Sequence, residues 1–238
     1  MLDNVTGGIA KMRPSKLRLA VRRRWFENAL SRLALDSAQG ELFEAGTAYG
    51  GWIVPAEIDV AWTCYCIGMG PDVSLERHLL ERGATVRSVE PVERYVIEGR
   101  EKLSDLDRFT ADHAAIATFD GTIEMQRHHQ KGSASLSAAG LYESSEVVRV
   151  PAVTFESLMA SHGDTRIDFL KLDVEGLEYD LMPTLDLKGM GIRAFAVQLH
   201  HNGGVARARQ LIRHVEAQGF ALVAQRPVAK LTFLATER

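Results

Sequence analysis

The sequence has few cysteines, no long apolar run and little excess of either charge. Only two cysteines occur among 238 residues, Cys64 and Cys66. They are too few for a disulfide scaffold and too close together for an easy bridge within one strand. No run of about 18 apolar residues is present, so no transmembrane helix is expected. The first twenty residues carry several charges and no apolar stretch, so we expect no secretory signal and favour a reduced, cytoplasmic protein.

The overall composition is that of an ordinary globular protein. Hydrophobic residues make up 46% of the chain and charged residues 25%, and the formal net charge is −3. Enough apolar side chains are present to bury a core, which excludes a predominantly disordered chain. The length fits one α/β domain with an extension, or at most two small domains. We place an N-terminal extension at residues 1–55 and the main domain at residues 56–238.

The charge is distributed unevenly along the chain. Residues 11–32 hold eight basic side chains and a single acidic one, a net charge of +7, which leaves −10 for the remainder. Apolar side chains recur every four residues from Leu17 to Trp25, which predicts a basic amphipathic helix from Ser15 to Leu35. This helix either lies on the main domain with its arginines in solvent, docks against an acidic partner or a second copy, or binds nucleic acid or a membrane surface. The first interpretation is favoured, and no nucleic-acid partner is expected.

Strand-like and helix-like segments alternate from residue 60 onwards. The predicted strands are 60–67, 84–89, 113–118, 167–172 and 192–199, followed by a closing antiparallel pair at 220–224 and 231–235. The predicted helices are 73–82, 93–103, 154–161, 176–181 and 205–218. Residues 121–126 are expected to pair with a neighbouring strand, and residues 128–145, rich in Ser, Gly and Ala, to form the most mobile loop.

This alternation is typical of an α/β fold with a doubly wound, mostly parallel, Rossmann-like sheet. The last strand is expected to run antiparallel to the others. In such sheets ligands bind beyond the carboxyl ends of the strands. The residues that directly follow the predicted strands are therefore the candidate site residues. They include Gly68, Gly70, Asp72, Glu90, Asp173, Glu175 and His200.

The turn after the first of these strands departs from the glycine pattern of dinucleotide sites. The third glycine is replaced by Val73, and Asp72 stands where phosphate oxygens would approach. Repulsion between this carboxylate and a diphosphate at about 4 Å costs on the order of 1–4 kcal/mol. S-adenosylmethionine fits better, because it is cationic and carries no phosphate. Glu90, 22 residues after Gly68, is placed to accept hydrogen bonds from the ribose hydroxyls.

Three segments resemble the FkbM-type methyltransferases. Residues 167–178, IDFLKLDVEGLE, resemble the IDxLKxDxEGxE signature of that family. Residues 64–76 resemble its first motif in the form YSxGxGxDxSFE, and residues 86–91, VRSVEP, match its second motif. The resemblance covers roughly residues 49–200. It implies a class I methyltransferase domain at residues 56–238, S-adenosylmethionine as cofactor and, usually, O-methylation of a sugar or natural product.

Two residues depart from the family pattern. Many class I methyltransferases carry an acidic residue two positions before the first glycine, where this chain has Cys66, and Leu75 replaces the usual Phe. Asp72 is then the candidate for the contact with the methionine ammonium group. The predicted cofactor-binding residues are Gly68, Gly70, Asp72, Ser74, Glu90, Ala114 and Asp173.

Methyl transfer to a hydroxyl is an in-line displacement that benefits from a general base. His200 is the first candidate for a catalytic base, because imidazole titrates near neutrality and the residue follows a predicted strand. Asp173 is the second catalytic candidate, either as the base or as the group that orients His200. Glu175 is expected to hold the turn by bonding amides near Gly176. These residues include suitable metal ligands, but no familiar spacing supports a metal site and none is expected.

The sequence therefore predicts an S-adenosylmethionine-dependent O-methyltransferase. The expected acceptor is a carbohydrate or a glycosylated or natural-product metabolite, and a homo-oligomer is an open prediction. The alternative is a non-catalytic module that binds S-adenosylmethionine and engages a partner through its basic helix. A nicotinamide-dependent oxidoreductase is disfavoured by Asp72 and by the missing third glycine.

Overall fold

The structure is a computed structural model that describes residues 14–38, 40–128, 135–137, 141 and 146–236. Most of the loop predicted at residues 128–145 lies outside the described residues. The helices are α1 (Pro14–Leu30), α2 (Ser74–Glu81), α3 (Glu93–Lys102), α4 (Phe155–His162), α5 (Glu178–Leu181) and α6 (Gly204–Ala217), with short 3-10 helices at Met182–Thr184 and His201–Gly203. The strands are β1 (Leu42–Ala45), β2 (Trp52–Pro55), β3 (Thr63–Ile67), β4 (Thr85–Glu90), β5 (Phe109–His113), β6 (Ala115–Ile116), β7 (Gly121–Arg127), β8 (Leu136–Ser137), β9 (Val147–Val153), β10 (Phe169–Leu172), β11 (Ala194–Gln198), β12 (Phe220–Arg226) and β13 (Lys230–Ala235).

Seven of the described strands form the central sheet, in the order β12-β13-β11-β10-β3-β4-β5. The pairs β11–β10, β10–β3, β3–β4 and β4–β5 are parallel, and β13 runs antiparallel to both of its neighbours. The strand order reverses between β3 and β10, which creates a crevice at their carboxyl ends. The predicted doubly wound, mostly parallel fold with an antiparallel C-terminal strand is confirmed.

The middle of the sheet is formed by short, almost wholly apolar strands. All four side chains of β10 and the first four of β11 are buried. Such continuous burial is typical of parallel strands that are covered on both faces. The aromatic side chains of Phe169, Phe195 and Phe233 are completely buried and form the centre of the core.

The predicted third strand, residues 113–118, is wrong. The third parallel strand is β5, which lies at the edge of the sheet, and only one of its five side chains is buried. An edge strand needs few apolar residues, so its sequence carries a weak signal. The apolar run that follows it, residues 114–117, instead leads into β6 of a second sheet with the order β6-β9-β7-β8. Its strand β9 was not predicted.

The N-terminal region differs from the prediction in two ways. Helix α1 ends at Leu30 rather than Leu35, and Val21 and Trp25 of its expected apolar face are 60% and 62% exposed. Phe26 and Leu30 are buried instead, because only the last turns of the helix pack on the domain. Residues 42–55, expected within a helical extension, form the β1–β2 hairpin. The division of the chain at residue 55 stays a prediction.

Candidate functional site

A cavity of about 1700 Å³ opens at the carboxyl ends of β3, β4, β10 and β11. This volume exceeds the roughly 300–1,000 Å³ of a typical single-ligand pocket, so two molecules fit side by side. The predicted residues that line it are Gly68, Gly70, Asp72, Glu90, Ala114, Asp173, Glu175 and His200. Ser74 is not among the lining residues; its hydroxyl accepts a hydrogen bond from the amide of Thr47 at 2.9 Å.

Asp72 connects the first glycine loop to the turn of the β1–β2 hairpin. Its Oδ1 accepts a hydrogen bond from the Ser74 amide at 3.0 Å, and its Oδ2 accepts one from the Thr47 hydroxyl at 2.5 Å. Burial alone would raise the pKa of Asp72, but these bonds outweigh it and hold the pKa below the usual value. Asp72 is therefore ionised, and both of its oxygens already stabilise the loop.

Glu90 holds the same loop from the end of β4. The side chain is 5% exposed. Its Oε2 accepts a hydrogen bond from the Gly70 amide at 2.8 Å, and its Oε1 accepts one from the Val92 amide at 2.8 Å. Burial raises the pKa of Glu90 to about 6 despite these bonds. Each carboxylate oxygen can accept a second hydrogen bond, so Glu90 can also bind the two hydroxyls of a ribose.

The two glycines of this loop provide a matched test of its geometry. Gly68 and Gly70 both lie in the left-handed region, with φ of +78° and +66°. A Cβ atom on Gly68 would overlap the carbonyl oxygen of Asp173, whereas one on Gly70 would meet open space. We expect Gly70→Ala to cost about 1–2 kcal/mol of strain, and Gly68→Ala to cost about 1–3 kcal/mol more through the added overlap. Urea unfolding measures both, and equal losses would contradict the described packing.

His200 is held by a buried carboxylate on one side and faces two others on the opposite side. Glu178 Oε1 lies 3.2 Å from His200 Nδ1 and also accepts a hydrogen bond from the His200 amide. On the other edge of the ring, His200 Nε2 lies 3.4 Å from Glu175 Oε2 and 3.9 Å from Asp173 Oδ1. Burial alone would lower the pKa of His200, but the three carboxylates raise it to about 9. The imidazole is therefore protonated at neutral pH.

Asp173, Glu175 and His200 also satisfy the spacing of a divalent-cation site. One ligand atom from each lies within 4.8 Å of the others. Two carboxylates and an imidazole suit a divalent cation. The expectation that no metal is required therefore stays a prediction.

Residues 65–222 match the family model described as the methyltransferase FkbM domain. The chain belongs to this family. The resemblance found in the three sequence motifs is confirmed, and so is S-adenosylmethionine as the cofactor that the family uses. No curated protein matches the chain.

Solved structures with a similar fold are distant from this FkbM-family chain. The magnesium protoporphyrin IX methyltransferase of Synechocystis PCC 6803 is 13% identical with a TM-score of 0.41, over 93% of this chain and 79% of that one. The precorrin-6y C5,15-methyltransferase of Geobacter metallireducens is 10% identical with a TM-score of 0.40, over 94% and 92%. The fibrillarin pre-rRNA processing protein of Methanococcus jannaschii is 9% identical with a TM-score of 0.42, over 79% and 71%. These distant similarities do not identify an acceptor.

The turn in the FkbM signature is held differently from the prediction. Glu178, not Glu175, accepts the hydrogen bond from the Gly176 amide, at 2.9 Å. Because Glu178 also bonds His200, one fully buried carboxylate fixes both the turn and the imidazole. Lys171 on β10 is buried and donates a hydrogen bond to the Gly68 carbonyl, and its Nζ lies 3.8 Å from Asp173 Oδ2.

Several further residues line the cavity of this methyltransferase. Lys230 donates to the carbonyls of Tyr49 and Gly51, and its ammonium lies 4.5 Å from the centre of the Trp52 ring. Burial lowers the pKa of Lys230 to about 8. Trp52 is 2% exposed yet lines the cavity, so it serves both the core and the site. The arginines of α1 that line the cavity are Arg18, Arg22 and Arg23.

In the part of the chain that the structure describes, no helix is both long and apolar enough to span a membrane.

Proposed function

We propose that this protein is an S-adenosylmethionine-dependent O-methyltransferase whose acceptor is a hydroxyl of a carbohydrate or of a glycosylated or natural-product metabolite. The observation that carries the proposal is the arrangement of His200. Glu178 engages Nδ1, which fixes the tautomer and leaves Nε2 on the side of the cavity that Asp173 and Glu175 line. A proton acceptor of this kind is what transfer to a weakly nucleophilic alcohol requires.

The cofactor half of the site is assigned to the first glycine loop and the end of β4. Gly68 and Gly70 let the backbone approach the ligand closely. Glu90 accepts hydrogen bonds from the ribose hydroxyls, and Ala114 offers buried apolar surface for the adenine. When bound, the cofactor supplies an electrophilic methyl group. The protein then has mainly to position the acceptor and to accept its proton.

The acceptor hydroxyl is assigned to the space next to His200. The O–CH3 bond would form as the S–CH3 bond of the sulfonium breaks to leave a neutral thioether, and the hydroxyl proton would pass to Nε2 of His200. Glu178, Asp173 and Glu175 surround the imidazolium that results and stabilise its positive charge. These carboxylates make His200 a stronger base than a free histidine, at the cost of a small neutral fraction at pH 7.

The acceptor is to be identified directly. The purified protein is incubated with isotope-labelled S-adenosylmethionine and metabolite extracts, and labelled products are identified by mass spectrometry. A labelled methyl ether on a hydroxylated metabolite is the expected result. Retained binding of S-adenosylhomocysteine without any labelled product across a broad set of extracts would instead favour the non-catalytic binding module.

The rate of methyl transfer is expected to depend on the ionisation of His200. Its pKa of about 9 means that the neutral base becomes more abundant as the pH rises. At saturating cofactor we expect kcat to rise about tenfold per pH unit below that pKa and to level off above it. Initial rates from about pH 6 to about pH 10 measure this, with S-adenosylhomocysteine affinity as the control for cofactor binding.

Two outcomes would contradict the assignment of His200 as the base. A profile that is flat above pH 6 would indicate that a carboxylate such as Asp173 accepts the proton. Loss of activity in a chelator, with recovery on adding a divalent cation, would assign Asp173, Glu175 and His200 to a metal.

A further inference from the structure

The cofactor's ammonium group lacks its usual carboxylate partner in this chain. Two residues before Gly68, where many class I methyltransferases carry an acidic residue, the chain has Cys66 on β3. The Cys66 side chain is completely buried, and burial raises the pKa of its thiol. A neutral thiol cannot balance the charge of an ammonium group. Another anionic group must do so if the methionine end of the cofactor is to be bound tightly.

Glu76 places a carboxylate at this position from a different element. It lies in the first turn of α2, is 2% exposed and lines the cavity. Burial raises its pKa to about 7, although the neighbouring Lys171 and Cys66 favour the charged form. Cys66 and Lys171 are paired residues on β3 and β10, and Glu76 interacts with both, so its carboxylate lies beside these two strands.

One oxygen of Glu76 has no partner. Oε2 is buried and accepts no hydrogen bond from any residue that the structure describes. A buried carboxylate oxygen without a donor destabilises the protein, because it has lost its hydrogen bonds to water without replacing them. Such an orphaned acceptor in the wall of a binding cavity indicates that a ligand supplies the missing donor.

The other acidic groups of this loop are already engaged. Both oxygens of Asp72 accept hydrogen bonds from Thr47 and Ser74. Both oxygens of Glu90 accept backbone amides, and its position at the end of β4 suits the ribose instead. Of the three carboxylates, Glu76 is the one with a buried oxygen that accepts no hydrogen bond from any described residue.

We propose that Glu76 binds the ammonium group of the cofactor's methionine moiety, in place of the carboxylate that Cys66 does not provide. The inference rests on the cofactor half of the proposed function and is independent of the acceptor. It replaces Asp72, the residue predicted for this contact from the sequence.

The test compares two ligands on matched variants. S-adenosylhomocysteine carries the ammonium group, whereas methylthioadenosine has the same nucleoside without the amino acid. Glu76→Gln keeps the shape of the side chain but removes its charge. We expect this variant to bind S-adenosylhomocysteine at least tenfold more weakly by calorimetry, which corresponds to about 1.4 kcal/mol. Its affinity for methylthioadenosine is expected to change less than about twofold. Glu81→Gln, at the exposed end of the same helix, is the control and is expected to bind both ligands as the wild type does.

Equal effects on the two ligands, or no effect on S-adenosylhomocysteine, would overturn the proposal. If Glu76→Gln fails to fold, as the absence of a cooperative urea-unfolding transition would show, Glu76→Asp takes its place. Its carboxylate is withdrawn by one methylene, and a selective loss for S-adenosylhomocysteine is again required. Because no acceptor is present, the outcome is separate from that of the labelling experiment. A chain that binds through Glu76 and methylates nothing would refute the proposed function alone.

Discussion

Replacing His200 with asparagine is expected to lower kcat for methyl transfer by about 10²–10⁴-fold, the usual contribution of a general base. The side-chain amide of asparagine can still donate to Glu178, as Nδ1 does, but it cannot accept a proton at the position of Nε2. The variant therefore removes the base without leaving the buried Glu178 unpaired. Rates are measured with labelled cofactor and the acceptor identified by mass spectrometry, and S-adenosylhomocysteine affinity is expected to stay within about threefold of the wild type.

His201 provides a matched control for this variant. It follows His200 directly, is equally buried at 8% exposure and also lines the cavity. Burial and the nearby Arg22 lower its pKa, and it has no carboxylate arrangement like that of its neighbour. His201→Asn is expected to retain most of the activity. Full activity in His200→Asn together with a strong loss in Asp173→Asn would instead make Asp173 the base.

Replacing Glu90 with glutamine is expected to weaken the binding of S-adenosylhomocysteine by about 100-fold, since charge-assisted hydrogen bonds contribute roughly 1.5–3 kcal/mol each. The amide nitrogen of glutamine cannot accept a hydrogen bond, so either the Gly70 or the Val92 amide also loses its partner. We therefore expect the free energy of unfolding to fall by about 1–3 kcal/mol in the same variant. Calorimetry and urea unfolding measure the two effects separately.

An analogue of S-adenosylhomocysteine without the ribose hydroxyls distinguishes two roles of Glu90, binding these hydroxyls and holding the glycine loop. The wild type should bind it about 100-fold more weakly than S-adenosylhomocysteine, and Glu90→Gln should bind the two ligands almost equally. Glu93→Gln, at the exposed start of α3, is the control and should behave as the wild type. A variant that loses stability but keeps the full preference for the hydroxyls would limit Glu90 to holding the loop.

The central sheet could be predicted because its inner strands are buried on both faces. In β3, β10 and β11 most residues are apolar, and such short apolar runs predict buried strands. The edge strand β5 is half-buried, so its sequence looks like that of a loop. The strand was therefore predicted at the apolar run that follows β5. In α1 the spacing of Val21 and Trp25 suggested a buried face, but the packing of the last turns buries Phe26 instead.

The sequence predicts the site residues that lie at strand ends, but not those that reach the cavity from helices. Glu90, Asp173 and His200 lie at the end of a strand or within two residues after it, and their place in the cavity follows from the topology. Glu76 and Glu178 reach the site from the helices that come after those strands. Whether a helical side chain faces the cavity or the solvent depends on the rotation of the helix against the sheet, which the motif spacing does not specify. Both residues belong to the motifs that resemble the family. The structure is needed to show that Glu178 accepts hydrogen bonds from Gly176 and His200, and that one oxygen of Glu76 has no described donor.

The hydrogen bond from Lys230 to Tyr49 joins two positions 181 residues apart along the chain. It encloses one side of the cavity with a residue from β13, the last strand described. During synthesis the earlier βα units therefore leave the ribosome before this wall exists. Contacts between such distant positions form late, because the loop they close is long and costly in entropy. The binding cleft is accordingly expected to close only after β13 has been synthesised and has paired with β11.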